Sequence, residues 1–130
     1  MSDHPNLDLI KRGYAAYASG DTDTLDELFD EDVIWHVGGQ NPLSGDYKGK
    51  AQVFSFFGKL QEMSGGTATL AVHDLLANDQ HGVAIVTASA TRNGQSFSGD
   101  AVHTMRIVNG RVTEFWEYVM DQPEQDRFWS

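Results

Sequence analysis

The chain has 130 residues, with nine lysines and arginines against nineteen aspartates and glutamates, for a formal net charge of −10. No cluster of cations is present, which argues against a nucleic-acid partner and against an anionic membrane surface. Cysteine is absent, excluding disulfides, thiolate metal sites and cysteine nucleophiles, and no apolar run is long enough to span a bilayer.

The length fits one domain over residues 1–130, able to bury roughly two-thirds of its unfolded surface. The opening MSDHPNLDLIKRG has no charged-then-apolar leader, so no secretory signal is expected and a cytoplasmic location is the default. Leu7, Ile10, Tyr14 and Tyr17 recur at helical spacing and predict a first helix over about 6–19. Gly20 ends it, and Asp21 can cap a short second helix carrying Leu25, Leu28 and Phe29. Acidity concentrates in GDTDTLDELFDED, residues 20–32. It reads as a solvated helix face, because the DxDxDG pattern of a calcium loop is missing. DVIWHV, residues 32–37, reads as a strand, followed by a loop with a short extended piece near Asp46 and Tyr47.

A third helix over about 50–63 presents Val53, Phe54, Phe57 and Leu60 on one face, with Phe56 beside it. Strands follow over about 67–77, 82–92, 96–108 and 111–121, separated by NDQHG, RNGQ and VNG. Turns this short predict an antiparallel meander. The tail DQPEQDRFWS reads as a final helical turn that folds Phe128 and Trp129 back onto the body. Helices first and strands afterwards imply an α+β domain with helices covering one face of a curved sheet.

The first helix ending in YASGD, then ELFDEDVIWHV, then NPLSGDYKG leading into VFSFFGKL, and last MRIVNGRVTEFWEYV stand in a diagnostic order. In that order the chain resembles the SnoaL-like group of the nuclear transport factor two-like superfamily, over about residues 6–121. The resemblance implies a cone-shaped roll: a curved, mainly antiparallel sheet wrapped by three N-terminal helices around an apolar cavity. The superfamily includes polyketide cyclases, ketosteroid isomerases, epoxide hydrolases and carriers without catalysis, so the fold names no reaction.

Residue by residue, the resemblance to ketosteroid isomerases fails at their key groups. Their tyrosine falls near Gly13 and their aspartate base near Val37, with Tyr14 and His36 only neighbours of those positions; their acidic hydrogen-bond donor falls on His103. SnoaL-like cyclases are similar at the chain's end, where a histidine of the penultimate strand accompanies a carboxylate of the last. His103 and Glu117 take those places as the candidate catalytic pair, with Glu117 one methylene longer than the family's usual aspartate.

Whether the pair shares a face depends on the turn between its strands. A two-residue Asn109-Gly110 turn pairs Val108 with Arg111, sets His103 opposite Trp116, and sends His103 and Glu117 to opposite faces. A three-residue Val108-Asn109-Gly110 loop pairs Ile107 with Arg111. It makes Glu117 a same-face diagonal neighbour of His103, with Cα atoms roughly 7–8 Å apart. Asn-Gly favours the short turn; the resemblance favours the long one, which is the expectation adopted.

On that register Thr113, Phe115, Glu117, Val119 and Asp121 share a face with Ala101, His103, Met105 and Ile107. The expected ligand-binding set is Tyr14, Trp35, Val37, Phe54, Phe57, Met105, Phe115, Val119 and Asp121. Within such a wall Glu117 would resist ionisation, and His103 could hydrogen-bond a developing enolate oxygen or orient the carboxylate. The same pair could equally be a structural one. His36 alternates to the other face, and His73 and His81 lack a partner at metal-ligand spacing, so no metal and no cofactor is expected.

The functions left standing are cofactor-free isomerisation or aldol-type cyclisation of a small hydrophobic carbonyl compound, non-catalytic carriage of such a molecule, and epoxide hydrolysis. The last would need Asp121 beside Glu117 and has no pocket arginine, because Arg106 alternates away from His103. The outer sheet face, with Val102, Thr104, Val112, Trp116, Tyr118 and Met120, is too apolar to stay wet and predicts a homodimer.

Overall fold

The computed structural model describes residues 4–130; residues 1–3, part of the opening read above for a leader, lie outside the described residues. Pro5 occupies the first turn of helix α1 (Pro5–Ser19), where a missing N–H costs nothing, and Gly20 closes the helix in the left-handed conformation. Asp21 caps α2 (Thr22–Leu28), accepting the backbone N–H of Thr24 at 3.1 Å. Phe29, expected in this helix, is extended and begins β1 (Phe29–Val37). Its ring packs on Trp35, so tertiary contact decides its conformation.

After β2 (Gly45–Lys48) and α3 (Lys50–Met63) come β3 (Thr69–Ala77), β4 (His81–Arg92), β5 (Gln95–Val108) and β6 (Arg111–Val119). The chain ends in α4 (Gln122–Trp129), a full helix of eight residues where one turn was expected. The six strands lie in the order β2-β1-β6-β5-β4-β3. The predicted meander holds from β3 to β6, and β1 joins it parallel to β6, making the sheet mixed. Helices and the inner sheet face enclose the core, which includes Ile10, Leu28, Val33, Val53, Ala84 and Val86.

Both hairpins of β4–β5–β6 turn on Asn-Gly. Asn93 and Gly94 have φ of 53° and 78°, and Asn109 and Gly110 have 51° and 75°. Two successive left-handed residues make the tight turn whose twist matches a hairpin. The short turn is therefore the real one, with Val108 opposite Arg111, and the three-residue loop is corrected.

The ladder then slips by one residue. Ile107 still pairs with Val112, but Arg106 pairs with Glu114, leaving Thr113 as an extra residue. This β-bulge sets His103 directly opposite Glu117, so both point to one face. Val112, on the turn side of the slip, pairs with inward-facing Ile107 and is buried, correcting its expected place on the outer face.

Helix α4 folds back onto the body of the roll. Asp126 on α4 accepts a hydrogen bond from the side chain of Asn41 at 2.7 Å, and the Arg92 guanidinium donates to the carbonyls of Phe128 and Ser130 at 3.1 and 2.9 Å. Phe128 stacks on Phe97, and both rings are buried. No helix among the described residues is long and apolar enough to cross a membrane.

Candidate functional site

Inside the roll lies a cavity of about 130 Å³ whose wall is overwhelmingly apolar. Strand β1 contributes Trp35 and Val37, which sit beside Phe115 and Glu117 of β6 in parallel register. Trp35 and Phe115 stack with ring centroids 3.6 Å apart and planes 6° from parallel. Phe57 of α3 meets Trp35 edge-on, and Tyr17 meets Phe57 in the same way. These contacts hold flat aromatic surfaces around the space.

Three polar side chains converge on this wall. His103 is 4% exposed. Its Nδ1 lies 2.6 Å from the phenol oxygen of Tyr14. Its Nε2 faces the carboxylate of Glu117 at 3.7 Å, too long for a hydrogen bond, and is buried with no partner. A buried polar atom without a partner is costly, and such atoms mark sites where a bound group completes the pairing. The Glu117 side chain keeps 21% of its surface exposed, and Gln125 of α4 donates to its Oε1 at 3.4 Å. Burial raises the Tyr14 hydroxyl above its ordinary range, and the negative charge of Glu117 raises it further; Tyr17 is raised by the same two causes. Both phenols therefore stay protonated at neutral pH.

Of the residues expected to bind ligand, Tyr14, Trp35, Val37, Phe57, Met105 and Phe115 line the cavity together with His103 and Glu117. Three expected residues do not. Phe54 sits one layer back, against Phe29 and Phe57. Val119 packs on the core beside the cavity. Asp121 is turned away, capping α4 by accepting the Glu124 N–H at 3.1 Å, and this removes the second carboxylate that epoxide hydrolysis required. Its capping role was readable: Asp-Gln-Pro-Glu has the residue types of a helix start.

Sequence reasoning missed Gln125 and Trp129, which reach the cavity from α4. It also missed that Tyr14 contacts His103 across 89 positions of chain. No local pattern reports such a contact.

His36 lies on the outer face as expected. Its Nδ1 is 2.7 Å from Asp46 and its Nε2 2.6 Å from Glu114. Its partial burial works against the charged form, but the two carboxylates outweigh that and hold it above the ordinary histidine range. His73 bonds the Thr87 hydroxyl on the sheet surface.

The curved sheet with its covering helices agrees with what the chain is similar to. Residues 10–115 match the model of the SnoaL-like domain, and the protein belongs to that family. An uncharacterized protein of Mycobacterium tuberculosis is 30% identical, each chain covered over its whole length. The structure of Bal32a, from a soil-derived mobile gene cassette, is 35% identical, covers 97% of each chain and superposes with a TM-score of 0.93. A Jannaschia protein named for the SnoaL-like polyketide cyclases shares the fold at 13% identity, with a TM-score of 0.79 over 100% of this chain and 99% of its own. The same fold is seen in a protein of Burkholderia pseudomallei described as nuclear transport factor two-like.

Proposed function

We propose that the protein binds a small hydrophobic carbonyl compound in its cavity and moves a proton on it without a cofactor. Glu117 removes a proton from the carbon beside the carbonyl. The C–H bonding pair shifts to form an enolate, whose oxygen accepts a hydrogen bond from His103. Where a C=C is conjugated with the enolate, Glu117 then returns the proton to its far carbon, giving isomerisation. Otherwise the enolate carbon attacks a second carbonyl carbon, whose oxygen takes the π pair and then the proton from Glu117, giving an aldol-type ring closure. The observation that carries this reading is the cross-strand pairing of His103 with Glu117 on the inner face, in an apolar enclosure that strengthens electrostatic contacts.

The test is hydrogen–deuterium exchange, followed by NMR in D₂O, at the α-carbon of a panel of small cyclic and aryl ketones. Wild type should accelerate exchange of at least one, and Glu117→Gln should lose about 10²–10⁴ of that rate, with His103→Ala also strongly impaired and both variants folded. No acceleration across the panel, or equal rates in both variants, overturns it.

A carrier without catalysis is the second reading. What favours it is the 3.7 Å gap between imidazole and carboxylate, with an otherwise apolar wall. In that case Phe115→Ala weakens binding and His103→Ala matters little.

The outer sheet face is assigned by the same proposal to a second copy of the chain. Tyr118 and Met120 are 57% and 73% exposed, beside Ile85 and Leu76 on the same sheet. Sedimentation showing only monomer at low micromolar concentration would reject this assignment.

A further inference from the structure

The polar end of the cavity constrains its ligand more tightly than the apolar wall does. The ring planes of Tyr14 and His103 differ by 10° with centroids 5.9 Å apart, and the phenol oxygen meets the imidazole at Nδ1, 2.6 Å away. A neutral imidazole carries one proton, on either nitrogen. Were it on Nδ1, the Tyr14 hydroxyl would lose its acceptor, and the Nε2 lone pair would confront the Glu117 carboxylate. With the proton on Nε2, the phenol donates to Nδ1 and a positive N–H edge faces the carboxylate. Both comparisons favour the second form.

We infer that Tyr14 is a positioning residue that fixes His103 with its proton on Nε2, so that the cavity offers one preset hydrogen-bond donor and selects a neutral, single-ring ligand bearing an acceptor oxygen. This rests on reading the cavity as a ligand site and deepens it in two respects, polarity and size.

Polarity follows from the buried Nε2, which has no partner and so awaits an acceptor. Glu117, 3.7 Å away, repels an anion at that position. A carbonyl oxygen satisfies the donor without adding charge; a carboxylate ligand does not. Size follows from the volume: about 130 Å³, close to the roughly 150 Å³ of an engineered apolar cavity that takes up benzene. One substituted ring fits that volume, and a fused multi-ring compound exceeds it. The stacked Trp35–Phe115 pair supplies a flat surface for that ring.

The experiment has two arms. In the first, protein labelled with ¹⁵N-histidine is examined by two-bond ¹H–¹⁵N correlation at pH 7.5. His103 should show the Nε2–H form in wild type and a mixture of both forms in Tyr14→Phe, with circular dichroism unchanged. An Nδ1–H form in wild type, or an unaltered tautomer in Tyr14→Phe, overturns the inference.

In the second arm, acetophenone, ethylbenzene and benzoate are titrated as probes. Acetophenone should bind at least about tenfold tighter than ethylbenzene, a difference of about 1.4 kcal/mol, and benzoate should bind weakest. Tyr14→Phe should shrink the acetophenone advantage severalfold. Equal binding of acetophenone and ethylbenzene, tightest binding of benzoate, or no binding by any probe overturns the assigned ligand class. Neither arm measures turnover. A protein with the expected tautomer and probe ranking but no proton exchange sinks only the acid/base reading.

Discussion

The β4–β5 and β5–β6 hairpins turn on the same dipeptide in nearly the same conformation, yet their ladders diverge. From Arg92↔Gln95 to His81↔Arg106 the first runs without a break. The second slips at Thr113 within a few residues of its turn. A hairpin turn therefore sets the register only as far as the first bulge. The regular hairpin gives a plain wall, with Ala84, Val86 and Ala90 inward. The slipped one gives the site, because the extra residue brings Phe115 and Glu117 to the inner face beside Met105 and His103. One unpaired residue separates a scaffold from a place where chemistry can occur.

The most damaging way to break this contrast is to insert one alanine between Phe115 and Trp116. Alternation beyond the insertion would send Trp116 and Tyr118 inward and Glu117 outward. The expected loss rivals the whole stability of a small domain, roughly 5–15 kcal/mol, read as a missing cooperative transition in urea. A native-like melt would show that the inward residues of β6 do not hold its register. Less severe is Phe115→Ala, which removes a buried ring stacked on Trp35 and should cost about 3–5 kcal/mol. Tyr118→Ala, three residues on and facing out, should cost about 1 kcal/mol or less at concentrations where the chain is monomeric. Similar costs for the two would contradict the assignment of faces. The smallest and sharpest comparison sets Asn93→Ala against Asn109→Ala. Each places alanine at positive φ and should cost about 1 kcal/mol by urea melts. Unequal values would mean that the bulge strains its neighbouring turn.

These elements also show what the sequence could disclose. The helices announced themselves through apolar spacing and caps, and each strand through its flanking turns. Gly110 marked a reversal, and the dipeptide before and at it spelled the short turn correctly. The bulge had no such mark: Thr113 is neither glycine nor an obvious breaker, and β6 is irregular at the same place against β1, a strand far off in the chain. The two local readings of the turn thus framed the right question and omitted the answer, a short turn followed by an extra residue. Val112 was misplaced for the same reason. Phe54 shows a different limit, since helical spacing reveals the apolar face but not which residue reaches the cavity and which stands behind it. Asp121 was legible as a cap but was read through strand alternation, which stops being valid where β6 ends at Val119.

The α4 segment serves the chamber twice over. Gln125 touches the carboxylate, Trp129 walls the chamber, and the segment's far end is tethered through Arg92 to main-chain carbonyls, a grip indifferent to side-chain identity. An amide partner of Glu117 and a piece of its aromatic surround are thus mounted on one beam, so whatever loosens that beam disturbs both.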